Sequence, residues 1–149
     1  MSTRAKGNTL ERTAKLILES WGYMVERAFG QYVYTDRGPR STRHDFFGCI
    51  DLIAKNDQHT RYVQVTDITN LAARERKILM QIWPATDIVE VWAWRGGRAR
   101  RDKRYSEPQM IPAQQFYIHR LDHDTYEFSE VAIVKPVSNT GHTSPIQVP

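Results

Sequence analysis

Apolar residues recur at helical spacing near the start of the chain. Leu10, Ala14, Ile17, Leu18 and Trp21 fall on one stripe, so residues 9–21 are expected to form an amphipathic helix. Asn8 and Thr9 offer a cap, Glu11 falls in the first turn and Gly22 supplies the stop. Tyr23 to Ala28 then reads as a strand, and a long polar, glycine-containing loop carrying Tyr32 and Tyr34 runs on to His44. Two β-rich runs, Phe46 to Ala54 and Arg61 to Thr66, flank the turn-like Lys55 to Thr60 and predict an antiparallel hairpin of central strands. Asn70 to Trp83 has the helical pattern, with Leu71, Ile78 and Ile82 apolar and Pro84 just beyond its end. Ile88 to Trp94 is a further strand, and Phe116 to Leu121 and Tyr126 to Val134 are shorter ones about a turn at His123-Asp124. The order α-β-β-β-α-β-β-β predicts an α/β domain with a mixed central β-sheet flanked by helices.

Length bounds this picture. The 149 residues are one domain's worth of chain, read as a single domain over 1–135 followed by a flexible tail, 136–149, rich in Pro, Ser, Thr and Asn. No apolar run is long enough to cross a bilayer and the first residues lack a signal-peptide pattern, so a soluble, cytoplasmic protein is expected. The single cysteine, Cys49, excludes an internal disulfide and a multi-thiolate metal site, and leaves any metal to oxygen ligands. The net charge of +4 is local: residues 95–104, RGGRARRDKR, carry six basic side chains and one acidic, and the rest of the chain is −1. Arg95, Arg98, Arg100, Arg101, Lys103 and Arg104 surround Gly96-Gly97 between strand-like runs, which points to a protruding turn that binds a polyanion rather than a merely solubilising tip. A second loop, Thr35 to Arg43, is mildly basic.

Asp51 is the unusual residue, a lone carboxylate inside the apolar run Cys49-Ile50-Asp51-Leu52-Ile53-Ala54. Burying it costs several kcal/mol, on the order of the penalty for an uncompensated ion, unless something pairs with it; a structural salt bridge is one answer. In the partner run, Tyr62-Val63-Gln64-Val65-Thr66, alternation puts Gln64 and Thr66 on one face. A carboxylate, an amide oxygen on the neighbouring strand, a backbone carbonyl between them and Glu11 from a packed helix would make an oxygen-lined site for Mg²⁺ or Mn²⁺.

Lys6-Gly7, then Glu11-Arg12 four residues on, then Leu18, Gly22, Val25 and Arg27, followed by Ile50 to Ala54 and Tyr62 to Thr66, resemble the archaeal-type Holliday junction resolvases of the PD-(D/E)XK nuclease superfamily, which viruses also encode. The resemblance covers the first half of the chain and runs without a gap from Lys6 to Arg27. It implies a restriction-endonuclease-like core in which Glu11, Asp51 and Gln64 hold the metal with the Val65 carbonyl. Arg12 and Arg27 match positions that engage the DNA backbone. Ser41, or equally Thr42, lies in the loop that carries a functional serine, and Arg40 and Arg43 beside it join the DNA-binding set with the basic turn. Two residues depart from the pattern: Gln64 stands where the family usually has Glu, and Thr66 where it has the motif lysine. Gln64 removes one negative charge but keeps a coordinating oxygen. Thr66 offers only a hydroxyl, for which Lys15 on the same helix or Lys77 on the next is a possible substitute.

The function implied is an Mg²⁺-dependent endodeoxyribonuclease that resolves four-way DNA junctions by paired cuts, as a homodimer without small-molecule cofactor. The alternatives are a nuclease of the same fold for another DNA substrate and a non-catalytic branched-DNA-binding module. Trp83, Trp92, Trp94 and Phe116 are expected in the core rather than at a dimer interface, as are Phe46 and Phe47 rather than stacked on unpaired bases. The five histidines read as surface residues, with His44 near Asp45 the one able to approach the site.

Overall fold

The computed structural model describes residues 2–28, 30–43, 45–137 and 148–149, and their side chains outside 30–33 and 41–43. The first helix, α1 (Thr3–Ser20), begins almost two turns before the apolar stripe because Ser2 caps it, its hydroxyl accepting from the Ala5 amide. Ser2 is a stronger start than the expected Asn8–Thr9, and Thr9 and Thr13 instead donate back to the carbonyls four residues earlier. The helix stops at Gly22, whose φ of 88° lies in the left-handed region that closes helices.

Four strands follow: β1 (Met24–Arg27), β2 (Gly30–Thr35), β3 (Gly38–Arg43) and β4 (Leu52–Lys55). The segment expected as a loop is therefore a separate two-stranded hairpin, β2 against β3, turning at Gly38 with φ 98°. β4 is shorter than the apolar run suggested. Residues 45–50 form a tight turn in which Phe47 and Gly48 both take positive φ and Phe46 bridges to Ile50, so Asp51 stands just outside the strand. Phe47, expected in the core, is 60% exposed.

Next come β5 (Thr60–Asp67), a 3₁₀ turn over Ile68–Asn70, α2 (Leu71–Leu79) and β6 (Ile88–Arg95). α2 ends earlier than its pattern, leaving Met80 and Ile82 on the surface, while Trp83 tucks in and donates its indole N–H to the Ile78 carbonyl. A small arm, β7 (Arg100–Asp102) against β8 (Gln109–Ile111), precedes β9 (Gln115–Asp122) and β10 (Glu127–Val134).

The sheet has six strands in the order β1-β4-β5-β6-β9-β10, antiparallel throughout except for β5 and β6, which run parallel and are joined through α2. The chain is a mixed α/β fold, as its pattern predicts. Leu10, Ala14, Ile17 and Leu18 of α1 pack on one face against Leu52, Ala54, Val63, Val65, Trp92 and Phe116. Ile78 of α2 packs on the other against Ile50, Val89, Val91 and Leu121. Trp92 and Phe116 are fully buried, in keeping with their expected core role. No helix among the described residues is long and apolar enough to cross a membrane. Of the expected tail, residues 138–147 lie outside the described residues; the Pro149 carbonyl accepts from the buried Arg61 guanidinium, so that residue lies against the sheet.

The register decides where the connections fall. Arg27 pairs with Leu52, Leu52 with Val63, Asp67 with Trp94, and Arg95 with Gln115. The β2–β3 hairpin, the end of β5 and the β7–β8 arm therefore all leave the sheet from one edge.

Candidate functional site

That edge holds a cleft of about 260 Å³, lined on one side by Thr3, Lys6, Gly7 and Glu11 of α1 and on the other by Asp45, Asp51, Gln64, Val65, Thr66 and Asp67. Asp51 is only 3% exposed. β4 begins opposite Val63, so the Val65 amide lies beyond the ladder and donates to Asp51 Oδ2 at 2.8 Å. Gln64 Nε2 donates to the same oxygen at 2.5 Å and to the Val65 carbonyl at 3.2 Å. Two oxygens thus converge on one amide nitrogen, while Gln64 Oε1 is buried with no hydrogen-bond partner. A buried, unpartnered carbonyl costs about 1–3 kcal/mol, which marks the group as one that expects something else.

Glu11 reaches the cleft from α1 and is held there. Arg27 Nε and Nη2 donate to Glu11 Oε2 at 3.0 and 2.8 Å, and Nη2 also donates to Asn8 Oδ1 at 3.1 Å. Arg27, expected at the DNA backbone, positions Glu11 with its guanidinium fork and keeps a partly exposed side chain. Arg12, next to Glu11 in sequence, faces solvent.

Thr66 lies in the cleft wall, and neither expected lysine substitute joins it. Lys15 faces away and pairs with Glu19 at 3.7 Å, one turn on along the helix. Lys77 lies by the thiol of Cys49, whose pKa burial raises and Lys77 lowers. The cleft cations are instead Arg4, Lys6 and Arg74, none of which was singled out as a site residue. Lys6 was legible once Ser2 is taken as the cap, because Thr3, Lys6, Gly7, Leu10 and Glu11 then form one helical face.

Asp67 closes the far wall. Its carboxyl sits below the usual aspartate range because Thr69 donates its hydroxyl at 2.5 Å and the amide of Asn70 adds a second bond, with Lys6's charge in support and burial opposing. Among the described residues no three His, Cys, Asp or Glu side chains gather as a metal cage; the donors here are a mixed set of carboxylate, amide and carbonyl.

The basic segments leave the sheet at the same strand ends as the cleft. Arg98, Arg100, Arg101 and Lys103 are exposed on the β7–β8 arm, and Arg95 at its root is partly buried. Arg104 is bound to Asp102 at 2.7 Å, holding that carboxyl down at about 2. Arg40 is exposed on the β2–β3 hairpin, whereas the side chains of Ser41, Thr42 and Arg43, and His44 altogether, lie outside the described residues. Two expected surface histidines are engaged, His119 with Glu75 at 2.8 Å and His123 with the Asp87 carbonyl at 2.6 Å. Compared with protein-family models, with curated proteins and with solved structures, the chain matches none.

Proposed function

We propose that the chain is a divalent-metal-dependent endonuclease of the PD-(D/E)XK type acting on branched DNA, with the four-way junction as substrate. The carrying observation is that Glu11, Asp51, Gln64 and Val65, far apart in sequence, line one cleft at the sheet edge from which both basic hairpins leave. The mixed sheet with a helix on each face is of the class that the resemblance to junction resolvases implies.

The donor set fits a cation on this chain's own terms. In the amide's present orientation Gln64 Nε2 supplies partial positive charge to Asp51 Oδ2 and the Val65 carbonyl. Reversed, Oε1 joins them, and three oxygens set against one another are tenable only around a cation. Asp51, Gln64, the Val65 carbonyl and Glu11 would hold Mg²⁺ or Mn²⁺, which when bound supplies Lewis-acid polarisation of a phosphoryl oxygen and eases deprotonation of water. The protein's part is electrostatic and positional. Arg27 fixes Glu11, the β5 backbone fixes Asp51, and the basic hairpins seat the phosphate backbone against an otherwise acidic cleft. Hydrolysis adds water's oxygen to phosphorus and breaks the P–O3′ bond; the 3′ oxygen takes up the proton. The two-fold symmetry of a junction calls for two copies of the site, hence a homodimer.

Binding without cleavage is the second reading, favoured by Thr66 in place of a lysine and by Arg27's hold on Glu11. An end-labelled immobile four-way junction and a linear duplex, incubated with Mg²⁺ or EDTA and resolved on a denaturing gel, separate the two. Paired, metal-dependent cuts confined to the junction, lost in Asp51→Asn with affinity kept, are the expected result. Retarded but uncut junction under every metal condition would sink the nuclease reading and leave the binding module.

A further inference from the structure

We propose that Lys6, on the amino-terminal part of α1, supplies the positive charge that Thr66 cannot, placing a helix lysine across the cleft from the strand position where the motif lysine is missing. The proposal rests on the nuclease reading. A phosphodiester undergoing in-line attack accumulates charge on its non-bridging oxygens, and a cation bordering the cleft stabilises that charge. Lys15 and Lys77 are placed elsewhere, and of the three cations lining the cleft Lys6 is the one lysine.

Two independent features favour it. Lys6 lines the cleft together with Asp51, Gln64 and Thr66, so its side chain borders the same space as the wall it has to serve. Next to it Gly7, in the interior of a helix where glycine is unfavourable, also lines the cleft, and a Cβ built there would meet no atom within 4 Å. The space beside Lys6 at Gly7 is therefore open to an approaching phosphate. A compact ammonium on a flexible stem suits a point contact with one phosphoryl oxygen, whereas the planar Arg4 and Arg74 suit bidentate contacts to neighbouring phosphates. The proton released from water passes to the 3′ oxygen and not through this residue.

The test compares Lys6→Met, Lys6→Arg, Lys15→Met and Arg74→Met, and adds Thr66→Lys to the Lys6→Met background. Junction affinity without metal and single-turnover cleavage with Mg²⁺ are measured for each. Lys6→Met is expected to slow cleavage about 100-fold, the usual effect of removing one preorganised charge stabiliser, with affinity changed only a few-fold. Lys6→Arg should retain part of the rate and Lys15→Met all of it. Thr66→Lys should return at least about tenfold of the loss, by restoring charge at the opposite wall. Normal cleavage in Lys6→Met, a loss confined to Arg74→Met, or a loss in Lys6→Met that neither Lys6→Arg nor Thr66→Lys relieves would each overturn the proposal while leaving the nuclease reading intact. Failure of the unmodified protein to cut any DNA would overturn both.

Discussion

Gln64 concentrates the chemistry of the site in one amide. Its nitrogen satisfies Asp51 and the Val65 carbonyl while its oxygen is stranded, so the orientation of the amide decides whether a donor or an acceptor faces those two oxygens. Gln64→Glu removes the donor and sets a second carboxylate beside Asp51. Without metal the variant should lose about 1–3 kcal/mol, the cost of leaving a buried polar group unsatisfied. Two adjacent carboxylates push one pKa up, so this loss should grow as pH rises above the ordinary glutamate range and shrink in acid. Mg²⁺ should bind more tightly than to the wild type, because a full negative charge replaces a dipole. Thermal melts across pH, with and without Mg²⁺, and calorimetric titration check both; unchanged melting and unchanged affinity would remove Gln64 from the site. At this scale the sequence was informative about which residues matter, since Asp51 in an apolar run and Gln64 opposite it are anomalies visible in the alternation. Arg27's grip on Glu11 was not visible, because residues 16 apart meet only once α1 packs on β1. Nor was the orientation of the amide, which depends on where β4 begins.

The elements show the same division. The α1 stripe, the β4–β5 hairpin, β6, and the β9–β10 pair were all legible from period and turn chemistry, because each buries a face set by its own spacing. The β2–β3 hairpin was not, as its residues lack the apolar alternation of a half-buried strand and its pairing stands outside the main sheet. The early start of α1 was missed because the stripe begins at Leu10, and with it went the face that places Lys6 and Gly7 in the cleft. Gly7→Ala tests what that helix face is for. An alanine in a helix interior is worth about 0.5–1 kcal/mol over glycine, so the variant should be more stable. Its methyl group would stand in the path of a phosphate, so junction affinity or cleavage should fall; a variant both more stable and fully active would mean that nothing approaches the helix there. Asp67 gives the 3₁₀ turn a pH dependence of definite sign. Its pKa is lowered on folding, so its stabilisation is fully present above the unfolded value of about 3.9 and is lost as pH falls through the folded one. Asp67→Ala should therefore cost about 1 kcal/mol at neutral pH, as the loss of a cap does, and the gap to wild type should close in acid melts.

Across the whole molecule one sheet edge does all the work that the proposed function needs, and it follows from strand direction alone. β5 and β6 run parallel, so the basic arm after β6 leaves beside the end of β5; β1 runs antiparallel to β4, so the hairpin between them leaves there too. A net charge of +4 says little about this arrangement, whereas a +5 segment rooted one residue beyond Trp94, the partner of Asp67, starts at the same strand ends as the cleft. On the proposed function, such a segment would attract a phosphate backbone at long range. Replacing Arg98, Arg100 and Arg101 together by serine should weaken binding to junction and duplex alike, because phosphate contacts carry no sequence information. The slope of log affinity against log salt should flatten by about 0.9 for each arginine that meets a phosphate. Asp102 and Arg104, already paired, should contribute nothing to that slope: Arg104→Ser should leave it close to the wild-type value. The comparison is internal, since all four arginines sit on the same arm and differ in whether a carboxylate already holds them. Equal slopes in the triple variant and the wild type would return the arm to a solubilising role and move the DNA surface to the β2–β3 hairpin on the other side of the cleft.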